Sequence, residues 1–159
     1  MIENQNMSIS LAVGGPGMFR NELEQYRNSL QNPNSFFILD SIPSQEVSNY
    51  IRAADVVIIP SMSEGLPNLA KEAQSCGRPI LGTNVGGIPE VVEDKVTGLL
   101  IPPNNAEAIA DGIKWFYSNQ DKMEVMGKNG CVRMKEHFSL DQYKSNLTNF
   151  YSSCLKLWA

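Results

Sequence analysis

Residues 55–83 read DVVIIPSMSEGLPNLAKEAQSCGRPILGT. The segment opens with an apolar run from Asp55 to Ile59 and closes with a second run from Pro79 to Gly82, and both are typical of strands covered on two faces. Between them a helical pattern begins at Pro67 and ends at Gly77, because proline and glycine are favoured at these two helix boundaries. The order strand, loop, helix, strand predicts a β-α-β unit with parallel strands.

The same alternation extends along the rest of the chain. Further strands are predicted at Ser8 to Val13, Phe36 to Leu39 and Gly98 to Ile101. Ser44 and Asn105 are suitable residues for the starts of two more helices. The remainder is predicted to be all helical, with helices at Ala106 to Ser118, Lys122 to Glu136 and Leu140 to Trp158. We therefore expect an α/β fold with a Rossmann-like, doubly wound parallel sheet flanked by helices and a helical C-terminal tail.

Composition limits the class of protein. With 159 residues, of which 42% are hydrophobic, the chain is long enough for a single domain, residues 1–159, with its own core. A net charge of -4 without a cluster of Lys and Arg argues against a nucleic-acid partner. Cys76, Cys131 and Cys154 fit neither a disulfide framework nor a zinc site, and no apolar run is long enough for a transmembrane segment. These features favour a cytoplasmic protein.

The last predicted helix, within residues 139–159, carries an apolar stripe. Its members recur at spacings of three and four: Tyr143, Leu147, Phe150, Tyr151, Cys154 and Trp158. Such a stripe covers another apolar surface. Two interpretations stay open, packing on the sheet of this chain and a surface for a partner that this chain does not contain.

Residues 60–68 are the segment richest in candidate binding groups. They follow a predicted strand, and open parallel sheets bind ligands at the carboxyl ends of their strands. With Pro67 as the first helical residue, Leu66 is the N-cap, and leucine cannot accept a hydrogen bond from the first amides of the helix. Those amides, at the positive end of the helix dipole, suit a phosphate or a hydroxyl, and Gly65 allows close approach to the backbone.

Two glutamates belong to this region. The helix is predicted to bury one stripe, formed by Leu66, Leu69, Ala70 and Ala73. Asn68 and Glu72, four residues apart, share a flank beside it. Glu72 there can accept two hydrogen bonds from paired ribose hydroxyls, and Glu64 in the loop can hold a sugar hydroxyl. The alternative interpretation is that both are solvated, with Glu72 near Lys71.

An ordered series of motifs runs from Ser8 to about His137. It reads Pro60-Ser61-x-x-Glu64-Gly65-x-Pro67, Glu72-Ala73, Gly77-x-Pro79, Gly86-Gly87-x-x-Glu90-Val91-Val92 and Thr97-Gly98-Leu99-Leu100-Ile101. The series resembles the carboxyl-terminal half of a family-4 (group 1) glycosyltransferase of the GT-B type. Two glutamates separated by seven residues, here Glu64 and Glu72, are the signature of that family.

The resemblance implies a domain that binds a nucleotide-diphosphate sugar and needs no metal or other cofactor. It places Glu72 on the ribose and makes Glu64 the catalytic candidate on the donor sugar. It also implies contacts of the sugar or diphosphate with Gly65, Leu66, Pro67 and Asn68. The implied reaction is a retaining hexosyl transfer in glycan, glycolipid or polysaccharide biosynthesis, in which the donor phosphate takes the proton of the acceptor.

A second glycine loop, residues 13–17, also follows a predicted strand. The resemblance places Gly14 and Gly15 beside the phosphates of the donor and Ile42 near its base. A dinucleotide-binding fingerprint with Asp40 on the ribose is disfavoured, because the third glycine is absent and Pro16 interrupts the turn.

The resemblance also implies features outside this chain. In the family, a strand and a Gly-Arg segment with a basic pair open this domain, and they would precede Met1, since Arg20 and Arg78 do not match that pair. The absent strand is the central one, so the sheet is expected to close up around the gap, remain incomplete or borrow a strand. The first domain of the enzyme is expected to lie outside this chain, and the helix within residues 139–159 is a candidate to pack on it. The isolated chain is expected to be inactive.

Three interpretations of function therefore stand side by side. The chain is the donor-binding half of a glycosyltransferase, cytoplasmic or peripheral to the membrane in the full enzyme. Alternatively, it is a non-catalytic donor-binding subunit of a two-chain transferase, as in split GlcNAc transferases. The third interpretation is a relative of the GT-B-type sugar-nucleotide epimerases, which the context of Glu64 and Glu72 disfavours.

Overall fold

A computed structural model describes residues 7–156, which form two compact units, one ending at Asn49 and the other beginning at Tyr50. The first unit contains strand β1 (Leu11–Gly14), helix α1 (Arg20–Ser29), a short 3-10 helix (Pro33–Ser35) and strand β2 (Phe36–Leu39). Helix α2 (Ser44–Ala53) contains the boundary between the units. Each unit has its own parallel sheet.

The sheet of the first unit consists of β1 and β2 in parallel, with Leu11 opposite Phe36 and Gly14 opposite Leu39. The strand predicted from Ser8 begins only at Leu11, because β2 offers four residues and therefore four pairing positions. Helix α1 packs through Tyr26, whose ring meets that of Phe36 edge to face at 6.2 Å. Much apolar surface stays exposed on this sheet, including Leu11 and Phe37.

The second unit holds the remaining elements. They are β3 (Val57–Ile59), α3 (Asn68–Ser75), β4 (Ile80–Thr83), α4 (Ile88–Val91), β5 (Gly98–Ile101), α5 (Ala106–Ser118), α6 (Gln120–His137) and α7 (Leu140–Lys156). The strands are parallel in the order β3-β4-β5. The middle strand, β4, is buried along its whole length, as its continuous apolar sequence predicts.

Helices cover this sheet and complete the core. Leu81 of β4, Ile101 of β5, Phe116 of α5 and Met126 of α6 form one buried cluster, with Trp115 packed against it. Asn105 caps α5 by accepting a hydrogen bond from the amide of Ala108 at 2.9 Å, which confirms the predicted helix start. The α/β class, the parallel strands and the helical tail are thus confirmed, while the described strands form two sheets rather than one.

Helix α6 lies close to α3 because two of its glycines face that helix. A side chain on Gly127 would overlap the carbonyl oxygen of Gly77, and one on Gly130 would lie 3.2 Å from Cβ of Gln74. On its exposed face, Lys128 lowers the pKa of Glu124 by a hydrogen bond of 2.6 Å and by its charge.

Helix α7 buries none of its described residues. The stripe that the sequence predicts is exposed at Tyr143, Leu147, Phe150 and Tyr151, whereas Trp158 lies outside the described residues. The interpretation that this stripe packs on the sheet of the chain is therefore wrong for these four residues. Within residues 7–156, no helix combines the length and the hydrophobicity that crossing a membrane requires.

Candidate functional site

The loop between β3 and α3 ends at a proline that stands outside the helix. Pro67 has φ -66° and ψ 123°, so its backbone is extended, and α3 begins at Asn68. Pro67 is therefore the N-cap, and the predictions that Pro67 is the first helical residue and Leu66 the cap are wrong by one position. Its carbonyl still accepts the first helical hydrogen bond, from Lys71 at 3.4 Å. No side chain caps α3, so its first amides are open to a ligand, as expected.

The buried face of α3 differs from the predicted stripe. Ala70, Ala73 and Gln74 are buried, whereas Leu66 is 42% and Leu69 40% exposed. The two alanines let the helix lie close to its neighbours, and the buried amide of Gln74 donates through Nε2 to the hydroxyl of Thr97 at 2.8 Å. The prediction for Ala70 and Ala73 is confirmed, and the prediction for the two leucines is wrong.

Glu64 is half-buried and held at two points. Its carboxylate oxygen Oε1 accepts a hydrogen bond from the hydroxyl of Ser61 at 2.7 Å. Its backbone carbonyl accepts one from the amide of Gly87 at 3.3 Å. Glu64 is thus an oriented carboxylate rather than a solvated charge at a loop tip.

The loop after β4 supports the one after β3 through two glycines. Gly86 has φ 51°, a conformation that favours glycine, and a Cβ there would overlap the carbonyl oxygen of Glu64. A Cβ on Gly87 would overlap the carbonyl oxygen of Gly65 and lie 3.2 Å from Cα of Leu66. Sequence analysis does not predict this close approach of the two loops, and the pair of consecutive glycines is its only signal in the sequence.

Further along α3, Glu72 and Asn68 are both exposed, on the flank where the sequence places them. Lys71 does not neutralise Glu72, since no ion pair joins them in the described structure. Adjacent helical residues point in different directions, which explains why. Glu72 thus keeps both carboxylate oxygens available for a ligand.

In the first unit, Gly14 and Ile42 come together at the carboxyl ends of β1 and β2. A Cβ on Gly14 would lie 2.9 Å from Cδ1 of Ile42, and Gly15 next to it has φ 123°. Asp40, the ribose candidate of the disfavoured dinucleotide alternative, instead pairs with Arg20 at 2.7 Å. The structure thus groups the candidates into two clusters, one in each unit: Gly14, Gly15 and Ile42, and Glu64, Gly65, Leu66, Pro67, Asn68 and Glu72.

Arg78, which does not match the basic pair of the family, lies away from the loop of the second unit. Arg78 precedes β4, at the amino edge of the sheet, and donates to the carbonyl of Arg52 at 2.5 Å. The loop 60–67 lies at the opposite, carboxyl edge of the same parallel strands. His137 is exposed at the end of α6.

This arrangement of motifs on a parallel sheet has a counterpart among known families. The family described as Glycosyl transferases group 1 matches residues 1–133. The chain belongs to this family. The group 1 match covers both clusters of candidate residues and ends four residues before the end of α6.

The relatives that match this chain are longer than the chain itself. A D-inositol 3-phosphate glycosyltransferase of Saccharomonospora viridis is 34% identical over 121 residues, which are 71% of this chain and 28% of that protein. An uncharacterized glycosyltransferase of Methanocaldococcus jannaschii is 27% identical over 147 residues, 92% of this chain and 38% of that protein. This chain thus spans about a third of the length of these relatives.

Solved structures show the same fold. The Anabaena protein HepE in complex with UDP matches with a TM-score of 0.82 and 22% identity, over 91% of this chain and 41% of HepE. Sucrose-phosphate synthase from Thermosynechococcus elongatus matches with a TM-score of 0.79 and 26% identity, over 92% of this chain and 38% of that one. These likenesses confirm the Rossmann-like, GT-B type of fold.

Proposed function

We propose that this chain supplies the donor-binding half of a glycosyltransferase and binds a nucleotide-diphosphate sugar at the carboxyl ends of its strands. The observation that carries the proposal is the uncapped start of α3 directly after the oriented carboxylate of Glu64. Open amides at the positive end of a helix suit the diphosphate or a sugar hydroxyl. The fold likeness to HepE, which was solved with UDP, supports a nucleotide sugar as the ligand.

Within this proposal, each candidate has a distinct task. Glu72, exposed and unpaired by any described residue, accepts hydrogen bonds from both ribose hydroxyls. Glu64 holds a hydroxyl of the donor sugar. Gly65, whose Cβ position is open, lets the donor approach the backbone amides of Leu66 and Asn68. Gly14, Gly15 and Ile42 supply the contacts with the phosphates and base.

The proposed reaction is a retaining hexosyl transfer to a glycan or glycolipid acceptor in the cytoplasm. The hydroxyl oxygen of the acceptor forms a bond to the anomeric carbon on the face from which the diphosphate leaves. The bond between that carbon and the phosphate oxygen breaks, and the leaving phosphate takes the acceptor proton. The task of the protein is then to position the two substrates and to stabilise the charge that develops between them. The proposal includes no metal or other cofactor.

The exposed face of α7 supports a partner as a second element of the proposal. Tyr143, Leu147, Phe150 and Tyr151 present a continuous apolar surface that no described element covers. We propose that this surface packs on the amino-terminal domain of the enzyme or on a separate partner chain that takes its place. The second case corresponds to a donor-binding subunit of a two-chain transferase.

The donor proposal is tested by titrating the chain with UDP, UDP-glucose, UDP-GlcNAc and GDP-mannose in ligand-observed NMR. Glu72→Ala should weaken binding of the preferred ligand roughly 10- to 100-fold, since hydrogen bonds to a charged group contribute about 1.5–3 kcal/mol. Glu136→Ala, which removes an exposed glutamate from α6, is the matched control and should bind like the unaltered chain. Binding that is indifferent to Glu72 would remove its role on the ribose.

A further inference from the structure

Ser61 and Thr83 form a short hydrogen-bonded chain that ends on the carboxylate of Glu64. The hydroxyl of Thr83 donates to the carbonyl of Ser61 at 2.6 Å, and the hydroxyl of Ser61 donates to Oε1 of Glu64 at 2.7 Å. We propose that Ser61 is a positioning residue that aims Glu64 at the donor sugar, and that Thr83 anchors Ser61 to the sheet. The inference rests on the proposed function of Glu64.

The bond from Ser61 fixes a side chain that is otherwise free to rotate. A serine hydroxyl has one proton, and here that proton is directed at Glu64. The backbone of Glu64 is fixed as well, since its carbonyl accepts from Gly87. With the backbone and one carboxylate oxygen held, the other oxygen, Oε2, is left for a ligand. A carboxylate that is already oriented loses less conformational entropy when the donor binds.

Thr83 connects this arrangement to the buried middle strand of the sheet. Its side chain is 1% exposed at the end of the middle strand β4, where it pairs with Ile101 of β5. Its hydroxyl also lies 3.4 Å from the carbonyl of Ile59, the last residue of β3. The position of Ser61 is thus set by two strands, and a site supported by strands is held more precisely than one supported by a loop alone.

A purely structural role for Ser61 predicts a different result from a positioning role. If its hydroxyl only stabilises the loop, removing it lowers stability and affects donor binding whether or not Glu64 is present. If it acts through Glu64, its effect on binding disappears once Glu64 is removed. The loop offers a matched control, because Ser63 is exposed two residues away and its side chain has no hydrogen bond to any described residue.

The first measurement needs no donor. In the chain labelled with ¹³C at glutamate Cδ, the Glu64 resonance should move in Ser61→Ala and in Thr83→Val. It should stay in place in Ser61→Thr and Thr83→Ser, which keep the hydroxyls, and in Ser63→Ala. An unmoved resonance in Ser61→Ala, or an equal movement in Ser63→Ala, would overturn the inference. Thr83→Val is a separate test. If one of the two substitutions prevents folding, the Glu64 resonance in the other variant still tests the inference.

The second measurement uses the sugar nucleotide that binds best in the NMR panel. Ser61→Ala should weaken its binding about tenfold, Ser61→Thr should restore it, and Ser61→Ala should add nothing in the Glu64→Ala background. An equal loss in both backgrounds would overturn the positioning role. If the unaltered chain binds no sugar nucleotide, the proposed function fails, whereas the ¹³C measurement still decides whether Ser61 orients Glu64.

Discussion

Gly87→Ala tests the contact between the two loops at the carboxyl edge of the second unit. A methyl group on Gly87 would overlap the carbonyl oxygen of Gly65, and it would lie 2.9 Å from the carbonyl carbon of Gly65 and 3.2 Å from Cα of Leu66. All three atoms belong to the backbone, so no side chain can turn aside to relieve the overlap. The loops must separate, which also breaks the hydrogen bond from the amide of Gly87 to Glu64.

The expected cost follows from these contacts. Overpacking a well-packed region costs about 1–3 kcal/mol, and an overlap with backbone belongs at the upper end of that range. Replacing glycine by alanine also restricts the unfolded chain, which returns about 0.4–1 kcal/mol of stability. The net loss is therefore about 2 kcal/mol, or roughly 8 °C in the unfolding temperature for a unit of this size.

Thermal unfolding followed by tryptophan fluorescence measures this loss. In a Trp158→Phe background, Trp115 is the only tryptophan, and it packs against the core of the second unit. Gly65→Ala is the matched control, because a Cβ there meets nothing within 4 Å, and it should unfold within about 2 °C of the unaltered chain. The reasoning is refuted if Gly87→Ala unfolds at the same temperature as the unaltered chain, or if both alanine variants lose stability equally.

Two further predictions concern stability in the same unit. Thr97→Val should lower the free energy of unfolding by about 2 kcal/mol, because the buried amide of Gln74 and the backbone amide of Glu93 lose their acceptor. Thr97→Ser keeps the hydroxyl and should retain most of the stability. Denaturant unfolding of both variants checks this prediction, and equal losses would contradict it. Asn105→Ala should lower the free energy of unfolding by about 1 kcal/mol, because it removes the cap of α5. Asn105→Asp keeps an acceptor for the amide of Ala108 and should unfold like the unaltered chain. The same measurement tests both variants, and an Asn105→Ala variant of unchanged stability would show that the cap contributes nothing.

The parts of the fold that the sequence predicts correctly are those set by local hydrophobic patterns and by turn residues. The strands at 36–39 and 98–101 have the bounds that the sequence predicts, because continuous apolar runs between turn residues leave little choice. Gly77 ends α3 as expected and has φ 71°, where glycine is favoured. These features depend on residues that are neighbours in sequence.

The features that sequence analysis missed depend on neighbours in space. Leu66 and Leu69 fit a helical stripe, yet they are exposed. The face of α3 that packs against α6 and Thr97 carries alanine and glutamine instead. The need for Gly87 comes from Gly65, on another loop. For Ser61, the spacing of three residues before Glu64 was a readable signal, but its anchor Thr83 belongs to the next strand. The roles of Glu64 and Glu72 on a donor stay predictions until binding is measured.

The separation of the strands into two sheets has a practical consequence for every experiment above. In the described structure, β1 pairs only with β2 and β3 only with β4, so each sheet presents an edge whose backbone donors and acceptors lack a strand partner. The edge at β3 carries the sequence Val57-Ile58-Ile59, which is apolar and β-branched. Such edges recruit strands from other molecules. Strand β3 has only three residues, and very short edge strands are one way in which proteins limit such pairing. Binding data should be collected over a dilution series in which light scattering shows a constant particle size, and a size that grows with protein concentration would show pairing at this edge.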